Sequence, residues 1–312
     1  MSTKITHIKS LKQNRKKPIL SVLIPYFRDD PTALLHALLS QTADQANVEI
    51  LIYDDGTGDS NLNASVSAAV KSAHSSVHLM IAHENKGRSA ARNALQKSAK
   101  ADWVLFLDAD MRPVSHQFLS EYASLIEANT ADVIFGGFTV PEKAETADQE
   151  LHRALSEVSD CLSLQARQAA GPQFVASSNL AVRKDVLTAE GFDDGFNGWG
   201  WEDSEWAARV AKRFTLLHAD IPALHLGLES TETLLRRFKT SGPNYVRFTE
   251  KHPDIAKTLS LFKISQKLRK TPGQKLMRPI LRLLVKLNVV PIKIRLLALK
   301  LWRASHYAEA FA

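Results

Sequence analysis

From residue 18 onward the chain alternates short, strongly apolar runs with amphipathic stretches, and this rhythm narrows the possible folds more than any other feature. Ile19–Pro25 reads as a buried strand and Pro31–Gln41 as a helix opening on a proline, where the missing N–H costs nothing. The pattern then repeats. Strands are expected over Val48–Tyr53, Val77–Ala82, Trp103–Leu107 and from Val133, with helices over Asn61–His74, Ser89–Ala99 and His116–Glu127. Strands alternating with helices predict βαβ units, hence an α/β fold around a mostly parallel sheet with helices on both faces. Ligands of such sheets sit beyond the carboxyl ends of the strands. Past Gly137 the rhythm changes to a polar helical stretch over residues 147–168, the segment Phe174–Val182 and a loop rich in Gly and Trp. From Ser230 the reading is helical to the end, and no internal repeat is present.

With 45% hydrophobic and 23% charged residues, the chain has ample material for a core and is neither disordered nor fibrous. Its single cysteine, Cys161, excludes an intramolecular disulfide and a four-Cys metal site, and fits a reducing compartment. The N-terminus is basic without a following apolar stretch, so no secretory signal is read there, and no run is long enough to span a bilayer. The net charge of +7 is unevenly spread. Residues 1–17 carry six Lys/Arg and no acid, residues 257–312 carry thirteen and one acid, and residues 18–256 are left with a balance of −11. An acidic body with basic ends argues against nucleic acid as a partner. It divides the chain into a basic tail (1–17), a catalytic-type domain (18–230) and a basic helical extension (231–312).

Carboxylates stand where two of the strands end. Asp54-Asp55-Gly56-Thr57 follows the second strand and Asp108-Ala109-Asp110 the fourth. Two acids at i and i+2 after an apolar strand point the same way and repel, and a divalent cation such as Mg²⁺ or Mn²⁺ relieves them. The plainer reading is one helix cap and one solvated acid. A second cluster, Gly198-Trp199-Gly200-Trp201-Glu202-Asp203, leads into a helical stretch over Ser204–Lys212. Glycines admit a ligand close to the backbone, indoles offer flat faces to sugar rings, and a helix start favours an ionised carboxylate. Here too the plainer reading, acids as caps and tryptophans as core, stays open.

Together these residues resemble the inverting family 2 glycosyltransferases of the GT-A fold, over residues 18–230. The resemblance implies a nucleotide pocket at Pro25, with Phe27 against the uracil and Asp55 hydrogen-bonded to it. It places Arg88 near the nucleotide, Asp108 toward the ribose, and Asp110 with His225 on Mn²⁺ or Mg²⁺. Gly198–Asp203 is similar to the W-G-x-E-D segment of chondroitin-polymerase-like and galactosyltransferase-like enzymes. There Asp203 would be the catalytic base, Glu202 would help hold the acceptor, and Trp199 and Trp201 would flank it. Two departures stand out: Pro25-Tyr26-Phe27-Arg28 replaces the usual Pro-Thr-Tyr-Asn, and Trp201 stands where close relatives often have Gly.

The implied activity is inverting, metal-dependent transfer from a nucleotide sugar, such as a UDP-sugar, to a glycan or lipid-linked acceptor in surface polysaccharide synthesis. Alternatives are a sugar-phosphate nucleotidyltransferase, for which no glycine-rich triphosphate loop is seen, and a non-catalytic binding module. No G-x-G-x-x-G follows a strand and no G-x-S-x-G elbow is present. In the extension, Lys275, Arg278, Arg282 and Lys286 fall on one helical stripe, with Leu276, Met277, Ile280, Leu281, Leu283, Leu284, Val285 and Leu287 between them as a wide apolar face. After Pro291 a similar pattern sets Lys293, Arg295, Lys300 and Arg303 among apolar residues that end on Trp302. The pattern suits an anionic membrane surface, which would hold the protein on the cytoplasmic face of the cell membrane. Packing of the same helices against the acidic body is the competing expectation.

Overall fold

The apolar runs become the centre of one sheet. A computed structural model of the chain describes residues 5–13, 16–42 and 47–311. Its strands are β1 (Ile5–Lys9), β2 (Leu20–Tyr26), β3 (Val48–Asp54), β4 (Ser76–Ala82), β5 (Trp103–Leu107), β6 (Met111–Pro113), β7 (Val133–Phe135), β8 (Phe138–Thr139), β9 (Asn179–Arg183), β10 (Leu216–His218) and β11 (Ala223–His225). Among the described residues, eight strands form a sheet in the order β1-β4-β3-β2-β5-β9-β7-β10, and β6-β11-β8 form a second. The β4-β3-β2-β5 centre is parallel, as the alternation predicts. At the edges the expectation is modified: β9 runs antiparallel between β5 and β7, and β1 runs antiparallel to β4. Thus five residues of the basic N-terminal segment form an edge strand rather than a tail, while residues 1–4 and 14–15 of that segment lie outside the described residues.

The sheet is covered on both faces, which is why its strands read as continuous apolar runs. Val22, Ile24, Ile50, Ile52 and Leu105 pack into the core on one side, and Leu23, Leu51, Tyr53, Val104 and Phe106 into the core on the other. Burial of each large aliphatic side chain contributes about 1.5–3 kcal/mol. Parallel register aligns the strand ends that carry function. Tyr26 pairs with Asp54, and Leu23 with Phe106, so Phe27, Asp55 and Asp108 emerge at one edge.

The polar stretch expected as one helix over 147–168 is two, Glu150–Ser159 and Leu164–Ala170. Ser163 breaks it, its hydroxyl accepting the Ala166 N–H at 3.2 Å as a new N-cap. Helices Thr231–Thr240, Gly242–Lys251, Arg278–Lys286 and Ile292–Ala310 follow the last strand. Leu234, Leu235, Phe238, Leu281, Val285, Leu299 and Trp302 pack with Leu151 and Leu155 in one apolar cluster. The extension therefore packs on the body with one of its faces.

Candidate active site

A cleft of about 840 Å³ opens at the carboxyl edge of the parallel strands. Pro25, Phe27, Asp55, Arg88, Asp108, Asp110, Trp199 and Glu202 all line it, so most of the residues singled out from sequence converge. Asn85, Lys86, Gly87 and Asn93 complete the wall nearest Asp55.

The Asp55 side begins with a close backbone approach. Gly56 has φ +71°, and a Cβ there would lie 2.4 Å from the Asn85 nitrogen, so only glycine permits the contact. That contact brings the N–H groups of Lys86 and Gly87 onto the Asp55 carboxylate, at 2.9 and 2.8 Å. Each Asp55 oxygen retains a lone pair for a ligand. Burial raises the Asp55 pKa, against the lowering effect of those two N–H donors. Asp54 turns away, accepting the Thr57 N–H at 2.9 Å. Phe27 keeps 38% of its surface exposed over the cleft.

The next wall is charged. Arg88 opens the helix Arg88–Ser98 and is held protonated above all by Asp108, with Glu202, Asp203 and Asp110 adding to the effect against desolvation. Arg92, one turn on and buried, reaches the Asp108 carboxylate at 3.2 Å. Asp110 and His225 meet because β6 and β11 pair Met111 with His225, while Leu226 N–H donates to the Asp110 carbonyl at 2.9 Å. Nε2 of His225 lies 3.4 Å from Asp110 Oδ2. Gly227 makes room, since a Cβ there would sit 1.9 Å from that oxygen. Burial disfavours both charges, yet the pair wins: the histidine holds Asp110 below the usual carboxylate range, and Asp110 lifts His225 above its ordinary value.

Asp110 Oδ1 has no partner among the described residues. An orphan carboxylate oxygen beside an imidazole is a donor set that Mn²⁺ or Mg²⁺ accepts. No group of three or more His, Cys, Asp or Glu among the described residues forms a closed metal site, so a cation here needs oxygens from a ligand.

Asp203 stands in the first turn of the helix Glu202–Val210, two residues ahead of the expected start. Its Oδ2 accepts the N–H and the hydroxyl of Ser177, at 2.9 and 3.0 Å, while Oδ1 is buried without a partner. The carboxylate is thus not spent on capping its own helix. Glu202 Oε2 is likewise unpartnered, and burial followed by the Asp203 charge raises the Glu202 pKa. Trp199 packs near Phe238 with the Arg237 guanidinium 5.5 Å from its ring centroid. Trp201 turns away from the cleft into a cluster with Tyr245, Phe248 and Tyr307, and its Nε1–H donates to the Tyr307 hydroxyl at 3.1 Å. His218 stacks edge-on against Phe135, away from the cleft.

Several residues at the site escaped the sequence reading. Ser177 is one of two adjacent serines in the segment Phe174–Val182. His152 accepts the Glu229 N–H at 2.7 Å, lies edge-on to His225 at 6.0 Å, and is pushed down to about 4, chiefly by burial. Asp29 and Arg237 line the cleft, and burial together with Asp110 raises the Asp29 pKa. Only Asp29, an acid just past the first strand, carried a signal that position could have flagged.

A mostly parallel sheet that gathers acids, an arginine and an aromatic around one cleft, with a small second sheet that begins just after Asp110 and carries His225, defines a GT-A fold. The chain belongs to glycosyl transferase family 2, whose model matches residues 21–189. Glycosyltransferase AglE of Haloferax volcanii is 26% identical over 231 residues, 71% of each chain. The glycosyltransferase EpsJ of Bacillus subtilis is 31% identical over 126 residues, 39% of this chain and 34% of that one. In three dimensions the chain is similar to the mannosyltransferase PcManGT of Pyrobaculum calidifontis, solved with GDP-Man and Mn²⁺ (TM-score 0.55, 14% identity, 93% of this chain and 86% of that one). It is also similar to S. aureus TarS 1-349 with UDP-GlcNAc (TM-score 0.54, 15% identity, 93% and 90%). The protein is a glycosyltransferase.

Proposed function

We propose that the enzyme is inverting and metal-dependent, moving a hexosyl or N-acetylhexosaminyl group from a UDP-sugar to a hydroxyl of a glycan or lipid-linked acceptor in surface polysaccharide synthesis. The observation that carries this reading is the Asp203 carboxylate, anchored by Ser177 through one oxygen and bare at the other. That oxygen takes the proton of the acceptor hydroxyl, whose oxygen attacks the anomeric carbon from the face opposite the diphosphate. Glu202, the neighbour of Asp203, lines the same cleft as Asp55, Arg88 and Asp108, and direct displacement by an acceptor bound there needs no covalent intermediate on the protein. Phe27 and Asp55 hold the base, Asp108 the ribose, and Arg88 the diphosphate; Trp199 and Glu202 face the acceptor. Trp201, first read as an acceptor contact, supports the loop instead. Asp110 and His225 would hold Mn²⁺ or Mg²⁺, which when bound neutralises charge on the departing nucleoside diphosphate.

Two of the relatives support the donor class: PcManGT was solved with GDP-Man and TarS with UDP-GlcNAc. We assign catalysis to residues 18–230 and read 231–312 as the part that holds the enzyme against the cytoplasmic face of the membrane. Among the described residues, no helix is long and apolar enough to cross a bilayer, which fits attachment from one side. Incubation with individual UDP-sugars and Mn²⁺ tests the activity. Release of UDP with product of inverted anomeric configuration is expected. Exchange of pyrophosphate in place of UDP release would replace the reading with nucleotidyl transfer.

A further inference from the structure

The last two helices leave apolar side chains that nothing among the described residues covers. Arg278–Lys286 and Ile292–Ala310 form a hairpin that buries Leu281, Val285, Leu299 and Trp302 against the body. Other apolar residues of the hairpin stay in solvent: Ile280 is 63% exposed, Leu283 59%, Val289 89% and Leu297 59%. Spacing of three and four residues sets Ile280, Leu283 and Leu287 on one stripe. The turn between the helices then carries Val289 at its tip, with Leu287 and Ile294, both also exposed, at its shoulders. Scattered exposed leucines are ordinary, but a run of them around one protruding turn marks a contact surface.

Charge decides what the contact is with. Glu232 faces both Arg282 and Lys286, and Glu309 faces both Lys275 and Arg278, so each pairing leaves a positive charge over. Lys293 and Lys300 are exposed, with no carboxylate within 4 Å among the described residues. A second copy of the chain would bring the same positive surface and be repelled. A bilayer with anionic headgroups accepts both the apolar tip and its basic flanks.

We propose that the hairpin tip, residues 283–297, inserts among the headgroups of an anionic bilayer, which rests on and localises the membrane reading above. The long helix makes the tip part of the catalytic architecture. It runs from Ile292 to Tyr307, whose hydroxyl accepts the Trp201 indole N–H. Fifteen residues of helix rise about 22 Å. Insertion of the tip therefore fixes how far the Trp199–Asp203 loop stands from the headgroups, a reach suited to an acceptor whose other end is a lipid.

The test is co-sedimentation of the full chain with phosphatidylcholine vesicles, with and without phosphatidylglycerol. Wild type should pellet only with the anionic vesicles and be released by salt. The double substitution Leu283→Glu, Leu287→Glu adds charge only at exposed positions. It should weaken pelleting by roughly tenfold or more with an unchanged thermal midpoint. A second pair, Val289→Glu with Ile294→Glu, guards against a folding defect in the first and should behave alike. If both variants pellet like wild type, the hairpin assignment falls while membrane attachment elsewhere survives. If wild type stays in the supernatant, both fall and glycosyl transfer, read from UDP release, is untouched. Wild type running as a dimer that the variants dissolve, without vesicle binding, would make the face a self-association surface and overturn the proposal.

Discussion

At Asp203 one oxygen has two donors and the other has none, and this asymmetry is what the proposed role as base rests on. A cap would accept N–H groups of its own first turn; Asp203 accepts from Ser177, far along the chain. Asp203→Asn keeps the shape and removes the basicity. Turnover should fall about 10²–10⁴-fold, roughly 3–5.5 kcal/mol of barrier, with donor affinity nearly intact by calorimetry. A loss of only about 1 kcal/mol of stability at wild-type rate would return the residue to a capping role. Asp110 and His225 make a separate prediction. Chelator should abolish activity, and Mn²⁺ or Mg²⁺ should restore it. Asp110→Ala should abolish the metal-dependent part of UDP binding, and His225→Ala should weaken it. Calorimetry showing UDP binding indifferent to chelator would remove the metal from this pair. The acids were legible because their type is wrong for the end of a buried strand. Ser177 and His152 were not, since nothing in a serine or a histidine by itself reveals which remote carboxylate or ring it will meet.

The loop Phe196–Trp201 depends on elements that come later in the chain. Asn244 donates to the carbonyls of Asn197 and Gly200, both at 3.0 Å, and Trp201 sits at φ +77°, a region that costs a bulky residue of order 1–3 kcal/mol. The Tyr307 hydroxyl holds that strained residue, meeting Trp201 Nε1, Ser241 Oγ at 2.6 Å and Arg303 Nε at 3.1 Å. Tyr307→Phe leaves the indole N–H buried without its acceptor. It should cost about 1–3 kcal/mol of stability and lower kcat more than KM for the donor, because the loop leads directly into Asp203. An unchanged kcat in a destabilised variant would reduce the contact to packing. Sequence periodicity located β2, β3, β4, β5 and the start of β7 to within a residue, because a strand buried on both faces has little choice of composition. It missed the break at Ser163, where an N-cap serine overrides a continuous polar pattern, the edge strand Ile5–Lys9, whose two isoleucines stand three apart without alternation, and the strands β6, β8, β10 and β11, which are too short to show a period. The aromatic fate of Trp201 was hidden because its partners come from the helices Gly242–Lys251 and Ile292–Ala310, far downstream.

Over the whole molecule, the acidic body and basic extension are joined by a buried seam that contains a histidine. His306 lies in that seam, 9% exposed, with its ring 4.4 Å from Trp302 and its Nε2 unpartnered among the described residues. Burial first, then Arg278 and Lys239, push its pKa down to about 4, against a smaller opposite pull from Glu309. The sign follows from which state binds the proton. Above the ordinary value near 6.5 both states are neutral at this residue, and its contribution is whole. Between about 6.5 and 4 the unfolded chain takes up a proton that the folded chain refuses. Stability then drops by about 1.4 kcal/mol per pH unit, toward roughly 3 kcal/mol in all, and levels off below the folded pKa. His78, in β4, is also pushed down to about 4, mainly by burial, and adds in the same window. Urea unfolding from pH 7.5 down to 4.5 should therefore show a falling midpoint, and His306→Gln, neutral throughout, should flatten the curve while lowering its upper end. Parallel curves for wild type and variant across that range would show that the seam does not titrate through His306.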